Sequence, residues 1–287
     1  YRHLDSASDY ANEEEVGAGI KAAIDQGLCK REDLWVTSKL WNTYHHPDHV
    51  KPALEKTLQD LQLDYLDLYM IHFPISLEFV PFDQRYPPEW FNDPDSKEPV
   101  MIPSRVPLSD TWHAMEILKK EGLAKHIGIC NYSSSLLHDL MNYCETKPEI
   151  LQVESHPYLT QEKLIRLAKN YGLEVTAFSP LGSLSYEELG GAEESESLLK
   201  NESIQSIAKD LNVSPAQLIL SWALNRGTSI VVKSSNEARM KENLDASIIK
   251  LDPFILDQIS ALNINKRYND PGVFCEDAFN TFFPIYE

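Results

Sequence analysis

Leu34-Trp35-Val36-Thr37-Ser38-Lys39-Leu40 is a short apolar run that carries one lysine near its end. Its length and its β-branched residues are typical of a buried strand. Six more runs of this kind occur along the chain, and each is interpreted as a strand: Tyr1 to Asp5, Tyr65 to His72, His126 to Asn131, Ile150 to Ser155, Glu174 to Pro180 and Ser229 to Ser234. Stretches with helical periodicity, such as Val50 to Leu61, separate these runs. The alternation predicts an α/β fold in which helices cover a parallel sheet.

Polar residues at the strand ends distinguish a doubly wound sheet from a (β/α) barrel. Six of the predicted strands end on a polar or charged residue, namely Asp5, Lys39, His72, Asn131, Ser179 and Lys233. A barrel aims all its strand ends at one mouth, whereas a doubly wound sheet concentrates them at one switch point. Six contributing strands therefore favour the barrel.

Three long segments, 73–107, 182–201 and 266–287, interrupt the alternation. The first is rich in proline and aromatic residues, and the second contains Gly190-Gly191 and an acidic run. Loops of this length are usually functional, so these segments are predicted to be active-site and cofactor loops and a tail. The 287 residues show no repeat and no linker, so residues 1–287 are predicted to form a single barrel domain.

The composition excludes several classes of function. The chain has 26 Lys+Arg against 44 Asp+Glu, a net charge of −18, which opposes binding to nucleic acid and to anionic membranes. No apolar run is long enough for a spanning helix, and the first residues resemble neither a signal nor a transit peptide. The four cysteines form no CxxC pair, which favours a reducing cytoplasm over a disulfide framework.

Two motifs suggest ligands but have unsuitable surroundings. Gly17-Ala18-Gly19-Ile20-Lys21-Ala22 matches a dinucleotide fingerprint, yet a charged helical stretch precedes it where the fingerprint needs a buried strand. His45, His46 and His49 are close in sequence, but Pro47 disrupts a common helical face and no spaced partner ligand follows. We expect a solvated loop at these histidines and no metal site.

Lys39 would be costly to bury at the end of an apolar strand without an anion. Asp5, which ends the neighbouring predicted strand, is the natural partner, and Tyr10 follows shortly after it. A nearby cation stabilises a phenolate and lowers the pKa of the phenol, which would make Tyr10 a usable general acid. In its neutral form His72 can donate a hydrogen bond to a substrate carbonyl. The alternatives are a structural ion pair at a barrel rim and a structural histidine.

Lys233-Ser234-Ser235 and Arg239 place two cations and two hydroxyls around the start of a predicted short helix. This combination suits a phosphate monoester, although a solvated basic face is an equal alternative. Cys130 ends an apolar strand and has no evident His/Asn arrangement, so a small buried side chain is favoured over a nucleophile.

Together these residues resemble the aldo-keto reductase family, from the first residue to the last. Tyr1 to Tyr10, continued by Ala11-Asn12-Glu13, is similar to the family's segment with the catalytic Asp and Tyr. Val36 to Trp41 resembles its catalytic Lys strand, and Asp67 to His72 resembles its catalytic His strand. The further matching segments are Ile127 to Asn131, Gln152 to Tyr158, Ser179 to Gly182 and Val232 to Asn243.

The resemblance implies a (β/α)8 TIM barrel and an NADPH-dependent oxidoreductase, with NADH also possible. The catalytic residues that it implies are Asp5, Tyr10, Lys39 and His72. Asn131 and Gln152 would hold the nicotinamide carboxamide, and Phe178 would stack on its ring. The remaining cofactor-binding residues that it implies are Cys130, Ser179, Leu181, Ser185, Glu188, Lys233, Ser234, Ser235, Arg239 and Asn243. The substrate-binding residues that it implies are Trp41, His72 and Asn269.

Within the family, the aromatic loop from Phe73 and the segment Arg267-Tyr268-Asn269-Asp270-Pro271 look most like the xylose reductases. The resemblance implies reduction of a small aldose or related aldehyde to the alcohol by a cytoplasmic monomer or homodimer. Two alternatives stay open: a reductase of another carbonyl, such as a uronate, a sugar phosphate or a ketone, and a non-catalytic member that binds the cofactor. Retention of all four catalytic residues argues against the non-catalytic member.

The chain departs from the family pattern at three cofactor positions. Cys130 stands where Ser is common, and Phe178 replaces the commoner Tyr but keeps the stacking face. Ser235 stands where xylose reductases that use both cofactors often carry Asn, which favours NADPH. The family's opening hairpin, first strand and first helix have no counterpart in this chain, so seven of the eight barrel strands are expected.

Overall fold

The computed structural model describes residues 1–187 and 190–286. Its strands occupy the seven predicted positions: β1 (His3–Asp5), β2 (Trp35–Leu40), β3 (Leu66–Ile71), β4 (Ala124–Cys130), β5 (Ile150–Glu154), β6 (Glu174–Phe178) and β7 (Ser229–Ile230). The register is parallel between β1 and β2, β2 and β3, β3 and β4, and β6 and β7. The predicted alternation of parallel strands and helices is therefore confirmed.

The helices lie between the strands and after β7. The described residues contain α1 (Glu13–Asp25), α2 (Pro47–Leu61), α3 (Leu108–Lys120), α4 (Ser134–Tyr143), α5 (Glu162–Tyr171), α6 (Leu184–Glu187), α7 (Glu202–Asp210), α8 (Pro215–Asn225), α9 (Glu237–Asp245), α10 (Pro253–Ser260) and α11 (Pro271–Phe279). No helix in this part of the chain is both long and apolar enough to cross a membrane.

The described chain forms two compact units. The first contains residues 1–151 and 271–286, and the second contains residues 152–270. In the first unit β3 is buried along its whole length, because side chains on both of its faces are covered. The prediction that residues 1–287 form one domain stays a prediction.

Two glycines in the first unit allow backbone segments to approach closely. A Cβ atom on Gly17 would lie 2.6 Å from the Asp60 carbonyl oxygen, so α1 packs directly against the end of α2. A Cβ atom on Gly128 would lie 2.7 Å from the Ile150 carbonyl oxygen. Gly17 therefore has a packing role inside a helix, which agrees with rejecting the dinucleotide fingerprint.

The second unit has a core of its own around α8. Trp222 and Leu218 are fully buried there, and the Trp222 Nε1 donates a hydrogen bond to Ser260 Oγ at 3.0 Å. Ser214 begins α8 by accepting the Gln217 N–H at 3.1 Å, the reciprocal capping arrangement expected before a Pro at the first helical position.

Three expectations about local structure are corrected. The strand expected over 229–234 ends at Ile230. The tail contains α11, because Pro271 occupies the first turn of a helix, where its missing N–H costs nothing, rather than a turn of a loop. His45 is fully buried and burial lowers its pKa to about 3, so the solvated-loop description holds only for exposed His46 beside it. The described residues contain no cluster that could hold a metal ion.

Candidate active site

The predicted trio of Asp5, Tyr10 and Lys39 meets at the ends of β1 and β2. Lys39 is fully buried, and its Nζ donates to Asp5 Oδ1, to the Ser6 carbonyl oxygen at 2.8 Å and to the Tyr10 hydroxyl at 3.2 Å. The three donors of the ammonium are thereby matched by three oxygens. The predicted partner of the buried lysine is confirmed.

Tyr10 reaches Lys39 because the chain turns sharply after β1. Residues Ser8–Tyr10 form a single 3-10 turn in which the Tyr10 N–H donates to the Ala7 carbonyl oxygen at 3.0 Å. Ala11 then adopts a left-handed conformation with φ of 53°, and α1 begins at Glu13. This tight path places the phenol beside the strand that carries Lys39.

The electrostatics of Lys39 and Tyr10 are coupled. Burial acts to lower the pKa of Lys39, but Asp5 outweighs it, so the pKa is raised and the ammonium keeps its charge. Burial raises the pKa of Tyr10 and the Lys39 charge opposes that rise. The expectation of a net lowered pKa for Tyr10 is therefore corrected: the cation limits a rise that desolvation causes. Tyr10 as a whole residue is 47% exposed.

His72 immediately follows β3 and is packed between aromatic rings. Its ring lies 5.9 Å from that of Tyr10 and 5.3 Å from that of Trp41, both edge-on. Burial and then the Lys39 charge hold the pKa of His72 well below its usual range, so the ring is neutral. Its buried Nδ1 has no hydrogen-bond partner within the described residues. A neutral His72 able to donate to a carbonyl is what the sequence predicted.

Trp41 lies at the base of an aromatic wall formed by the 73–107 loop. Its side chain is fully buried, and its Nε1 donates to the Glu89 carbonyl oxygen at 2.9 Å. The Trp90 ring meets it edge-on with 4.9 Å between centroids, and Phe274 of α11 packs in turn on Trp90 at 5.3 Å. The loop therefore supplies the aromatic surface that its composition suggested.

Asn131 follows β4 in a left-handed conformation with φ of 62°. Its Nδ2 donates to the His72 carbonyl oxygen at 2.8 Å, and its Oδ1 accepts the Tyr286 hydroxyl at 3.1 Å. Tyr286 was not found by sequence reasoning, because an isolated tyrosine near the end of a chain carries no local signal.

Cys130 is buried with its Sγ 3.7 Å from Met70 Sδ, and burial raises the pKa of its thiol. This packing matches a small buried side chain and not a nucleophile.

In the second unit, a hydrogen-bonded chain joins two predicted site residues. Ser179, with φ of 47°, directly follows half-buried Phe178, and its Oγ lies 3.0 Å from the Tyr186 hydroxyl. That hydroxyl also accepts the Asn269 Nδ2 at 3.3 Å. The Asn269 Oδ1 is buried without a hydrogen-bond partner in the described residues. Tyr186 is a second residue that sequence reasoning missed, because its predicted loop carries no periodic pattern.

Glu154 fixes the backbone that carries Asn269. It is fully buried and accepts the N–H groups of Tyr268 and Asn269, each at 2.9 Å. His156 Nε2 lies 2.9 Å from the same carboxylate. The Asp270 N–H donates to the Tyr268 carbonyl oxygen at 3.2 Å, so the turn considered from the sequence is also present.

The predicted phosphate-binding residues surround the start of α9. Asn236 caps this helix by accepting the Arg239 N–H at 3.0 Å, and its own N–H donates to Ser234 Oγ at 3.1 Å. Lys233 and Arg239 are exposed, and neither forms an ion pair within residues 1–187 and 190–286. Two uncompensated cations at a helix N-terminus can attract an anion.

The other predicted cofactor residues have varied surroundings. Gln152 is buried, Leu181 packs against the core of the second unit, Asn243 is half-buried and Ser235 is exposed. Ser185 belongs to α6, but its side chain lies outside what the structure describes, and Glu188 lies outside the described residues altogether. The cofactor role of all these residues stays a prediction.

Comparison with known proteins defines the class of this chain. The model of the aldo/keto reductase family matches residues 1–264, so the chain belongs to that family. It is 47% identical to the NAD(P)H-dependent D-xylose reductase of Kluyveromyces lactis, covering 98% of this chain and 87% of that protein. It is 45% identical to the NADPH-dependent aldose reductase of Saccharomyces cerevisiae, covering 98% and 88%.

A solved structure supports the same assignment. The aldose reductase from Schistosoma japonicum is 34% identical, with a TM-score of 0.85 over 100% of this chain and 87% of that one. The predicted α/β barrel class, with seven strands in this chain, and the predicted family are therefore confirmed.

Proposed function

We propose that this chain reduces an aldose or a related aldehyde to the alcohol, with NADPH as the preferred hydride donor and NADH as a possible one. The single observation that carries the proposal is the buried Lys39, which contacts both Asp5 and the Tyr10 hydroxyl. Relatives at 45–47% identity are named as D-xylose and aldose reductases, which supports the aldose as substrate class. A protein that only binds the cofactor would not need Asp5, Tyr10 and Lys39 in this arrangement.

The roles of the residues follow from their chemistry. When bound, NADPH would supply the hydride that adds to the carbonyl carbon. Tyr10 donates its proton to the carbonyl oxygen, and the Lys39 charge stabilises the phenolate that remains. Asp5 keeps the buried ammonium charged and in place. Neutral His72 donates a hydrogen bond that orients the carbonyl, and the aromatic wall around Trp41 restricts access of water.

The residues of the chain suit a nicotinamide dinucleotide phosphate. Among residues 1–187 and 190–286 neither Lys233 nor Arg239 pairs with a carboxylate, which leaves both cations available to read a 2′-phosphate. The partly exposed Phe178 ring offers a face for stacking. Asn131 and Gln152 provide amides for the carboxamide, and the other predicted cofactor residues keep their roles as part of this proposal.

A reducing compartment suits this activity. All four cysteines are free thiols, and three of them are buried. This supports the proposed location in the cytoplasm, where thiols stay reduced. The net charge of −18 supports a small-molecule substrate over nucleic acid, and we propose a monomer or homodimer.

The proposal is tested by a panel of carbonyl substrates, each assayed with NADPH and with NADH. Xylose and related aldoses should be reduced, with higher kcat/KM for NADPH. Preference for a uronate, a sugar phosphate or a ketone would support the proposed carbonyl reduction but reject an aldose as the substrate. Cofactor binding without turnover of any carbonyl would indicate the non-catalytic alternative.

A further inference from the structure

Glu13, the first residue of α1, is a buried carboxylate that the proposed reaction does not use. It is 4% exposed, and Oε1 accepts Ser38 Oγ at 2.6 Å. Oε2 accepts Thr57 Oγ1 at 3.0 Å and the Tyr86 hydroxyl at 3.4 Å. Within the described residues no lysine or arginine pairs with it. Three hydroxyl donors from three elements, β2, α2 and the 73–107 loop, therefore hold this carboxylate in place.

The contact with Ser38 lies directly behind the catalytic lysine. Consecutive side chains of a strand point to opposite faces, so Ser38 faces the helices while Lys39 faces the other side of β2. Glu13 therefore fixes the start of α1 to β2 at the residue that precedes Lys39. Further along α1, Gly17 packs directly against the end of α2, because a Cβ atom there would lie 2.6 Å from the Asp60 carbonyl oxygen.

Glu13 is also close to Tyr10 along the chain, because only Ala11 and Asn12 separate them. The turn that carries Tyr10 is joined to β1 at its start and to Glu13 at its end. On either side of Tyr10 the chain contacts β2: before it, Ser8 Oγ donates to the Lys39 carbonyl oxygen at 3.4 Å, and after it, Glu13 accepts the Ser38 hydroxyl at 2.6 Å. Loss of the second contact would let the phenol move relative to the ammonium.

We propose that Glu13 is a positioning residue which, through Ser38, sets the distance between the Tyr10 hydroxyl and the Lys39 ammonium. The kinetic part of its test rests on the proposed function, in which Tyr10 is the proton donor. A measurement of the pKa of the Tyr10 hydroxyl does not rest on the proposed function. The titratable groups that face Tyr10 are Lys39, Asp5, Cys130 and His72, and those that face Glu13 are Asp60 and Tyr86.

The test compares two single hydroxyl deletions on the same carboxylate. Ser38→Ala removes the link to β2, and Thr57→Val removes the link to α2 and is the matched control. Tyrosine labelled with ¹³C at Cζ reports ionisation by NMR, and Tyr10→Phe assigns the Tyr10 signal. Ser38→Ala should raise the Tyr10 pKa by about half a unit or more, because the stabilising cation is farther away. The alkaline limb of kcat/KM should move up equally, and kcat should fall about fivefold or more.

Each outcome decides the proposal. Thr57→Val should lower the thermal midpoint and leave the Tyr10 signal and the pH profile unchanged. If both variants change the pKa of Tyr10 equally, or if neither changes it, Glu13 is a structural residue and the proposal is wrong. Ser38→Cys, which keeps the volume but donates weakly, replaces Ser38→Ala if that variant does not fold, with the same expected direction. A shifted Tyr10 signal in a protein that reduces no carbonyl would reject the proposed function but keep the role of Glu13.

Discussion

The Tyr10 hydroxyl lies 3.2 Å from Lys39 Nζ, and the same ammonium also donates to Asp5 Oδ1 and to the Ser6 carbonyl oxygen. A phenol held against an ammonium is the arrangement that lets a weak acid donate a proton near neutral pH. The value of this contact depends on Lys39 staying charged although it is fully buried, and Asp5 provides the compensating charge.

Lys39→Met should abolish carbonyl reduction and destabilise the fold. The substitution removes the Lys39 charge that compensates the largely buried Asp5 carboxylate, which costs about 3–5 kcal/mol of unfolding free energy. The double variant Asp5→Asn with Lys39→Met should recover much of that free energy, because no buried charge remains, but no activity. Urea denaturation and NADPH oxidation measure the two effects. Equal stability of the single and double variants would show that Asp5 is not the counter-charge.

Arg239→Ala should weaken NADPH binding by about 1.5–3 kcal/mol, the scale of a hydrogen bond to a charged group, and NADH binding far less. The control is Lys241→Ala on the same helix, where Lys241 is exposed and pairs with Asp245. Fluorescence titration gives the dissociation constants for both cofactors. Equal losses for NADPH and NADH would show that Arg239 does not read the 2′-phosphate.

Asn269→Ala should reduce the preference for hydroxylated substrates. The buried Oδ1 of Asn269 lacks a partner in the described residues, and a site with such a group penalises a ligand that leaves it unpaired. The measurement is kcat/KM for xylose and for a deoxy aldehyde of equal chain length, in wild type and variant. An unchanged ratio would make Asn269 a turn residue and would remove the main local support for a sugar substrate.

His45 should make stability depend on pH below neutrality. Burial lowers its folded-state pKa to about 3, whereas the unfolded chain binds this proton below about 6.5. Stability is therefore lost as pH falls from about 6.5 towards 3, with a slope near 1.4 kcal/mol per pH unit for one proton. Urea denaturation at pH 6 and 4.5 should show that slope reduced by about this amount in His45→Gln. Exposed His138→Gln is the control, and the prediction is wrong if the two variants behave alike.

The strands and the charged core of the site could be predicted because each rests on a local rule. A lysine such as Lys39 in an apolar run demands an anion, and the preceding strand offers Asp5 at the corresponding end. Runs of β-branched residues located all seven strands. The β7 prediction was too long because apolar residues alone do not show where hydrogen bonding between strands ends.

The parts of the site that depend on distant contacts could not be predicted. Tyr286 reaches Asn131 across 155 positions of sequence, and the Glu154 carboxylate binds the N–H of Asn269 across 115. The sequence predicts a lowered pKa for Tyr10 because it shows the neighbouring charge but not the degree of burial. The helix α11 was also missed, because a proline at the first position of a helix and a proline in a turn look alike in the sequence.

The role of Tyr10 as proton donor is tested most directly by NADPH oxidation with xylose by wild type and Tyr10→Phe, with cofactor affinity measured in parallel. Tyr132→Phe is the matched control, since its buried hydroxyl has no hydrogen-bond partner in the described residues. Wild type and Tyr132→Phe should reduce xylose, whereas Tyr10→Phe should bind NADPH nearly as tightly and have no measurable turnover. Substantial turnover by Tyr10→Phe would contradict the assignment of Tyr10 as the proton donor.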